Sequence, residues 1–331
     1  MDDLKCMTIL NKYNFVFYNI CDDYFAPIFA DLFNYSFIKV FSRAFNANSF
    51  IQKLFFLHWS AKLNDIVNLP LKRIWFKRMC CHKFGDDKPV CYVFLGGKYI
   101  TEDARLFKYI KKLNPENKCV VLYLDLVSEG KTDINKVKQV SDMIVTYDRG
   151  DAKLFGINYV DIDYYTPIIP VTTPQEFEDD IYFLGYAKDR LDEIHKAYKY
   201  FSDNNFKCNF IVCGTNHEDR ITGKGLKYQG PISYLENLEN VRKSKCILEI
   251  IQGKSIAPTL RLREAKTYKR KLITNNNNPE YLKSLSHDNL YMYDNVEDID
   301  MDFVKKDINY EAFDGEHSSA IKFINYLEEM L

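Results

Sequence analysis

The 331-residue chain contains no Cys-x-x-Cys pair, no uncharged apolar run that approaches ~18 residues, and no overall excess of either charge. The nine cysteines, at 6, 21, 80, 81, 91, 119, 208, 213 and 246, are odd in number and without metal-ligand spacing, which argues against a disulfide framework and a zinc site. Cys91, Cys119 and Cys246 stand inside apolar, strand-like runs and read as buried thiols of a reducing compartment. No segment is apolar enough to span a bilayer, and Met1-Asp2-Asp3-Leu4-Lys5 lacks the basic start and apolar run of a signal peptide; a cytoplasmic location is expected. With 45 Lys and Arg against 46 Asp and Glu, nothing global points to nucleic acid. No Gly-x-Gly-x-x-Gly follows an early strand, which disfavours a dehydrogenase. His58, His82, His195, His217, His287 and His317 are scattered and take no role.

What is present is a folded-protein composition, 47% hydrophobic and 27% charged, on a chain long enough for two domains. Charge is unevenly placed. Residues 1–85 carry eleven Lys or Arg, six Asp and no Glu, a local charge of +5. Lys53, Lys62, Lys72, Arg73, Lys77, Arg78 and Lys83 interleave there with Phe50, Ile51, Leu54, Phe55, Phe56, Leu57, Trp59, Leu69, Leu71, Ile74, Trp75 and Phe76. Such a stretch, residues 50–83, either rests on an anionic membrane surface or packs its aromatic side on its own domain.

Short apolar runs alternate with helical patterns twice along the chain. Phe15–Tyr18, Cys91–Leu95, Cys119–Leu124 and Met143–Thr146 read as strands in the first half, with a helix over Thr101–Lys112 capped by Thr101 or Asp103. Tyr164–Pro174, with three prolines and no periodicity, reads as a linker. The second half offers strands at Ile181–Leu184, Cys208–Cys213, Leu226–Tyr228, Cys246–Ile250 and Lys271–Thr274, and helices near Asp189–Ser202, Tyr234–Lys243 and Thr259–Tyr268. Asn275–Asn278 reads as a loop and Ser318–Leu331 as a last helix. Buried strands alternating with helices predict an α/β protein of two doubly wound, Rossmann-like domains facing a central cleft. The expected division is a first domain at 1–165, a second at 175–310 and a C-terminal helix at 311–331.

Ligands of open α/β sheets sit beyond the strand carboxyl ends, where helix N-termini present free N–H groups. After the first strand of the second half come Gly185-Tyr186-Ala187-Lys188-Asp189-Arg190: a glycine that permits close approach, and two cations suited to a diphosphate. A glycine at such a turn also serves backbone geometry alone. After Glu249-Ile250-Ile251-Gln252, a loop leads into Thr259-Leu260-Arg261-Leu262-Arg263-Glu264-Ala265. Arg261 sits against the helix dipole, which a bound anion would explain, and Glu264, one turn on, suits ribose hydroxyls. The alternative is a surface ion pair between them.

Phe183–Arg190, Tyr228-Gln229-Gly230, Ser244–Ile250, Thr259–Ala265 and Lys271–Asn276, taken in order, resemble bacterial surface-polysaccharide (capsule and lipopolysaccharide) glycosyltransferases of the GT-B fold. The resemblance covers roughly residues 140–280 and lies in the order of segments, none individually diagnostic. It implies that Gly185 and Arg190 flank the donor phosphates, that Gln229 lies near the base, and that Thr259, Arg261 and Glu264 lie near diphosphate and ribose. Gly214 and Gln252, which close two neighbouring strands, are placed with them. Many retaining GT-B enzymes show an acidic pair spaced eight apart; Ile256 stands eight residues before Glu264, so a retaining assignment is unsupported. Asp161-Ile162-Asp163 and Asp300-Met301-Asp302 fit a metal-binding triplet by letters only, and neither a metal nor a cofactor is expected. The acceptor hydroxyl then needs a base from the first domain: Asp22 and Asp23 first, Asp148 and Asp151 second.

The function so implied is transfer of a sugar from a nucleotide-sugar to a saccharide or lipid-linked saccharide acceptor in surface-polysaccharide synthesis, at the inner membrane face. A hydrolysing nucleotide-sugar epimerase and a non-catalytic nucleotide- or glycan-binding protein are the alternatives.

Overall fold

The computed structural model describes residues 11–18, 26–41, 49–64, 66, 67, 69–80, 82–96, 100–127, 132–161, 165–172, 176–251, 259–313 and 319–331. The chain divides into two units, 1–164 with 318–331, and 165–317.

The first unit holds a six-stranded, all-parallel sheet of β1 (Asn14–Tyr18), β2 (Ile38–Phe41), β3 (Val90–Leu95), β4 (Lys118–Tyr123), β5 (Met143–Thr146) and β6 (Asn158–Tyr159). Its order is β2-β1-β3-β4-β5-β6. β1 is buried along its whole length, as a central strand covered on both faces must be. Side chains alternate between the faces: Val16 and Tyr18 join Tyr92 and Phe94 in one core cluster, with the Tyr18 and Phe94 rings stacked 4.5 Å apart. Phe17, on the other face, meets Phe29 at 5.7 Å. Asp103, not Thr101, caps the helix Ala104–Leu113, by accepting from the Arg105 amide at 3.0 Å.

The second unit holds β7 (Asp179–Tyr186), β8 (Cys208–Cys213), β9 (Leu226–Tyr228), β10 (Ser244–Glu249), β11 (Lys271–Thr274) and β12 (Leu290–Met292), again all parallel. Read from β9, the order is β9-β8-β7-β10-β11-β12: third, second, first, fourth, fifth, sixth. This is the Rossmann order, and its direction reverses between β7 and β10. Phe183 and Phe210 pack on one face of the sheet, Tyr182, Ile247 and Leu272 on the other. Both units are thus Rossmann-like and doubly wound, as expected.

Two expectations are corrected. The proline-bearing stretch is no free linker over residues 165–172: the buried Tyr165 hydroxyl meets that of Tyr234 at 2.7 Å, and the Arg270 guanidinium donates to the Thr172 carbonyl at 3.1 Å. The last helix, Ile321–Met330, belongs to the first unit and not to a separate C-terminal element. Phe323 sits 6.4 Å from Phe17 and 6.3 Å from Phe29. The fully buried Glu328 carboxylate accepts from the backbone amides of Asn11, Lys12 and Tyr13 at 2.7, 2.7 and 3.2 Å, fixing the entry to β1. Cys80, Cys91, Cys119, Cys208, Cys213 and Cys246 are buried thiols, and burial pushes Cys246 up to about 12.

Glu328→Ala strands three amides at the start of the central strand, each costing about 1 kcal/mol or more. Urea unfolding should therefore show a loss of about 3 kcal/mol, against a change within about 0.5 kcal/mol for the exposed neighbour Glu329→Ala.

Candidate functional site

The reversal between β7 and β10 is where a sheet of this order opens a crevice at its carboxyl edge. Three elements end there: β7 and its 3-10 turn Lys188–Arg190, β10 with Ile250 and Ile251, and the N-terminus of the helix Leu260–Tyr268.

Gly185 allows a side chain, not a ligand, to come close. A Cβ there would lie 2.8 Å from the Arg190 guanidinium and 2.9 Å from the Phe183 ring. With only hydrogen at that position, the guanidinium spans the edge between the strands: Nε donates to the Tyr186 carbonyl at 3.1 Å and Nη1 to the Ile250 carbonyl. Burial, and then the nearby charge of Arg261, lower the pKa of Arg190. Two guanidinium groups are held together in a half-dry place.

Arg261 is steadied from behind. Its Nη1 pairs with Glu264 Oε2 at 2.6 Å and its Nη2 donates to the Leu184 carbonyl at 3.1 Å. Burial opposes its charge most strongly of any one influence, yet Glu264, Tyr182 and Tyr234 together outweigh it and raise its pKa. The pair is not the surface pair considered from sequence, because Glu264 is fully buried. Its Oε1 accepts from the Tyr234 hydroxyl at 2.8 Å and from Asn237 Nδ2 at 3.0 Å. Two expectations fall here. The anion that answers Arg261 at the helix start comes from the helix itself, and a carboxylate with no exposed surface does not receive a ribose in this conformation.

Thr259 caps that helix, its Oγ1 accepting from the Arg261 amide at 3.0 Å. The same hydroxyl donates to Glu249 Oε1, which also accepts from the Tyr281 hydroxyl at 3.1 Å, while Oε2 accepts from Thr274 Oγ1. Glu249 is thus the centre of a buried polar knot that joins β10, β11 and the helix cap. Burial raises its pKa despite those hydrogen bonds. Sequence reading passed over Glu249 as the end of a strand; the available signal was a carboxylate closing the apolar run Cys246–Leu248.

The remaining expected residues are distributed. Gly214, at φ +70°, follows β8 beside the Tyr186 ring, and Gln229 follows β9, its amide donating to the Val212 carbonyl at 3.2 Å and its side chain exposed. Both lie at the same carboxyl edge as Arg190, one and two strands away from β7. Gln252, Asp22 and Asp23 lie outside the described residues. Asp151, in the first unit, is buried, and its carboxylate accepts from the Val127 amide; Asp148 caps the helix Arg149–Phe155.

Beyond β10, β11 and β12 lies a cavity of about 630 Å³ that includes Arg190, Glu193, Ile251, Asn275 and Tyr293 in its lining. Asn275 bridges two walls: its Oδ1 accepts from the Ile251 amide at 2.8 Å and its Nδ2 donates to Glu193 at 2.9 Å. Asp189, Asp192, Glu193, Asp294 and Glu297 outnumber Arg190 and Lys196 there, so the cavity offers acceptors for hydroxyl groups, with Arg190 at its edge for an anion. None of Glu193, Asn275 and Tyr293 was singled out from sequence, because each lies in a different segment and converges only through strand order.

No family model and no curated protein sequence matches the chain. Among solved structures, the UDP-GlcNAc 2-epimerase from Methanocaldococcus jannaschii is 14% identical over 95% of this chain and 99% of that chain, with a TM-score of 0.49. The glycosyltransferase SnogD from Streptomyces nogalater is 9% identical over 96% of this chain and 99% of that chain, with a TM-score of 0.41. T4 phage BGT in complex with its UDP-glucose substrate is 11% identical over 96% and 95% of the two chains, with a TM-score of 0.46. At these scores the likenesses assign no roles, and the functional reading rests on this chain's own residues.

Two outcomes are expected. Arg261→Ala leaves a buried carboxylate uncompensated and should cost about 3–5 kcal/mol in urea unfolding, whereas the double change Arg261→Met, Glu264→Gln should recover most of it; a loss below about 1 kcal/mol for the single variant contradicts the pairing. For Glu249 the folded pKa lies above the ordinary 4.5, so the native state holds its proton more tightly than the unfolded state. Its contribution is complete below 4.5 and declines as pH rises through the folded value. Comparing unfolding of wild type and Glu249→Gln upward from pH 4.5 should show the difference moving in favour of Gln.

Proposed function

We propose that the protein is a glycosyltransferase of the GT-B type that uses a nucleotide-sugar donor, with the second unit as the donor-binding one. The observation that carries this reading is the juxtaposition of Arg190 and Arg261 at the β7/β10 reversal, next to the N-terminus of the helix Leu260–Tyr268. A diphosphate placed there gains the half-buried Arg190 guanidinium and helix N–H groups, and relieves the repulsion between the two cations. The hydroxyl-accepting cavity beside Arg190 suits the sugar or ribose.

The reaction breaks the bond between the anomeric carbon and the diphosphate oxygen and forms one to the acceptor oxygen. Arg190 and the helix N-terminus stabilise the negative charge on the departing nucleoside diphosphate, which needs no metal ion. The acceptor proton passes to a carboxylate of the first unit. Asp22 and Asp23, which follow β1 in the chain, rank before Asp151, whose carboxylate already holds the Val127 amide. The acceptor we propose is a saccharide or lipid-linked saccharide of surface-polysaccharide synthesis, met at the cytoplasmic face of the membrane.

The acidic lining of the cavity favours one second reading, a hydrolysing nucleotide-sugar epimerase, which needs carboxylates beside the sugar ring. The two readings share the nucleotide site and differ in product. Titration with UDP, GDP and dTDP should raise the thermal midpoint for one of them, by about 2.7 kcal/mol of stabilisation at a hundredfold excess over Kd. Arg190→Ala should weaken that binding roughly tenfold or more, and Gln229→Ala, whose side chain is exposed, a few-fold at about 1 kcal/mol without loss of fold. Indifference to all three nucleotides would sink both enzymes. With the matching sugar-nucleotide, release of nucleoside diphosphate only when a saccharide acceptor is present identifies the transferase; a changed sugar without acceptor identifies the epimerase.

A further inference from the structure

The segment between β2 and β3 holds two helices, Ser49–His58 and Arg73–Met79, that share one buried aromatic seam. Phe55 meets Trp75 edge-on at 5.4 Å, Trp75 Nε1 donates to His58 Nδ1 at 3.1 Å, and Lys72 Nζ lies 5.3 Å over the Trp59 ring. Phe55, Trp59, Trp75, Phe76 and Met79 all belong to the core of the first unit. The inward face of the segment is therefore already packed against its own unit.

Its outward face is not the polar one such helices normally present. Phe50, Leu57, Ile66, Val67, Leu71 and Ile74 are exposed, Ile66 by 82% and Leu71 by 70%. Phe50, Lys53 and Leu57 stand on one stripe of the first helix, and Ile74, Lys77 and Arg78 on one stripe of the second. Leu71 is held outward at φ +65°, a left-handed conformation unusual and costly for a residue with a branched side chain. Lys53, Arg73, Lys77 and Arg78 are exposed among these apolar groups, and Asp65 is the one acidic residue between 49 and 85. Among the described residues, no helix is long and apolar enough to cross a membrane.

We propose that this outer face is a docking surface for an anionic lipid bilayer, lying in its interface without spanning it. The charge pattern selects this occupant. Aliphatic side chains enter the acyl boundary while Lys and Arg extend their stems to the lipid phosphates, so one surface uses both kinds of group at once. The proposal stands on the first unit alone and is independent of the nucleotide-sugar reading, so either can fail without the other.

Flotation of the full chain tests it, using vesicles of phosphatidylcholine alone and vesicles with equal parts phosphatidylglycerol. Wild type should float with the anionic vesicles at low salt, and much less at high salt or with phosphatidylcholine alone. Arg73→Gln with Lys77→Gln should weaken the partition by about 25-fold, near fivefold for each cation. Ile66→Ser, Leu71→Ser and Ile74→Ser together should weaken it by at least tenfold or so, with an unchanged thermal midpoint because the three side chains are exposed. Retention of wild type in the soluble fraction overturns the proposal, as does equal binding to neutral vesicles. So does a dimer in gel filtration that the apolar triple variant dissociates, since the face would then belong to a second copy of the chain.

Discussion

The pairing of Arg261 with Glu264 sets the geometry of the second unit's carboxyl edge. An arginine in the first turn of a helix opposes the dipole, and a buried glutamate opposes its own desolvation. Neither is tolerable alone. Joined at 2.6 Å, with Tyr234 and Asn237 completing the carboxylate and the Leu184 carbonyl completing the guanidinium, they tie the helix Leu260–Tyr268 to its neighbouring helix Tyr234–Lys243 and to β7. Glu249 does the same from the other side, binding the Thr259 cap to β11 through Thr274 and to Tyr281. The start of this helix is thus clamped by two buried carboxylates that do not face the cavity.

That arrangement separates positioning from binding. Arg261 and Glu264 are occupied with each other, and Thr259 with Glu249, so they fix where the helix N-terminus points. Arg190 is placed differently. It is held by hydrogen bonds to the backbone carbonyls of Tyr186 and Ile250, has Asp189 and Glu193 nearby, and borders the cavity. A cation whose charge is disfavoured by burial and by a second cation has most to gain from an arriving anion. The same reasoning gives Gly185 its meaning: any Cβ would push the guanidinium away from the strand edge.

Much of the architecture was legible because central parallel strands are buried on both faces and declare themselves as apolar runs. β1, β3, β5, β8 and β11 match their runs nearly residue for residue. The strands that escaped notice, β2, β6 and β12, are edges, covered less completely and only two to four residues long. For the site, sequence pointed to the turn after β7 and the helix at Thr259, and both stand at the carboxyl edge of the sheet, since their place follows from strand order. It assigned Arg261 and Glu264 outward because one-dimensional spacing shows that two side chains share a helix face, not which way that face looks. Tyr234 and Asn237, thirty and twenty-seven residues upstream, decide that the face looks inward.

The basic, aromatic stretch of the first unit shows the same limit from the opposite direction. Its sequence offered a choice between core packing and surface contact, and the fold buries some of its apolar groups and exposes others. Phe55, Trp59, Trp75 and Phe76 go inside, where the Trp75 N–H finds His58 and the Lys72 ammonium lies over the Trp59 ring. Phe50, Leu57, Ile66, Val67, Leu71 and Ile74 remain outside with the cations. Ile51 and Leu54, on the same helix as Phe50 and Leu57, pack against that core, so position on the helix, and not hydrophobicity alone, decides which apolar groups are covered. A helical segment with one apolar side already against its own domain still presents the rest of its circumference, and composition alone does not show which apolar groups fall there.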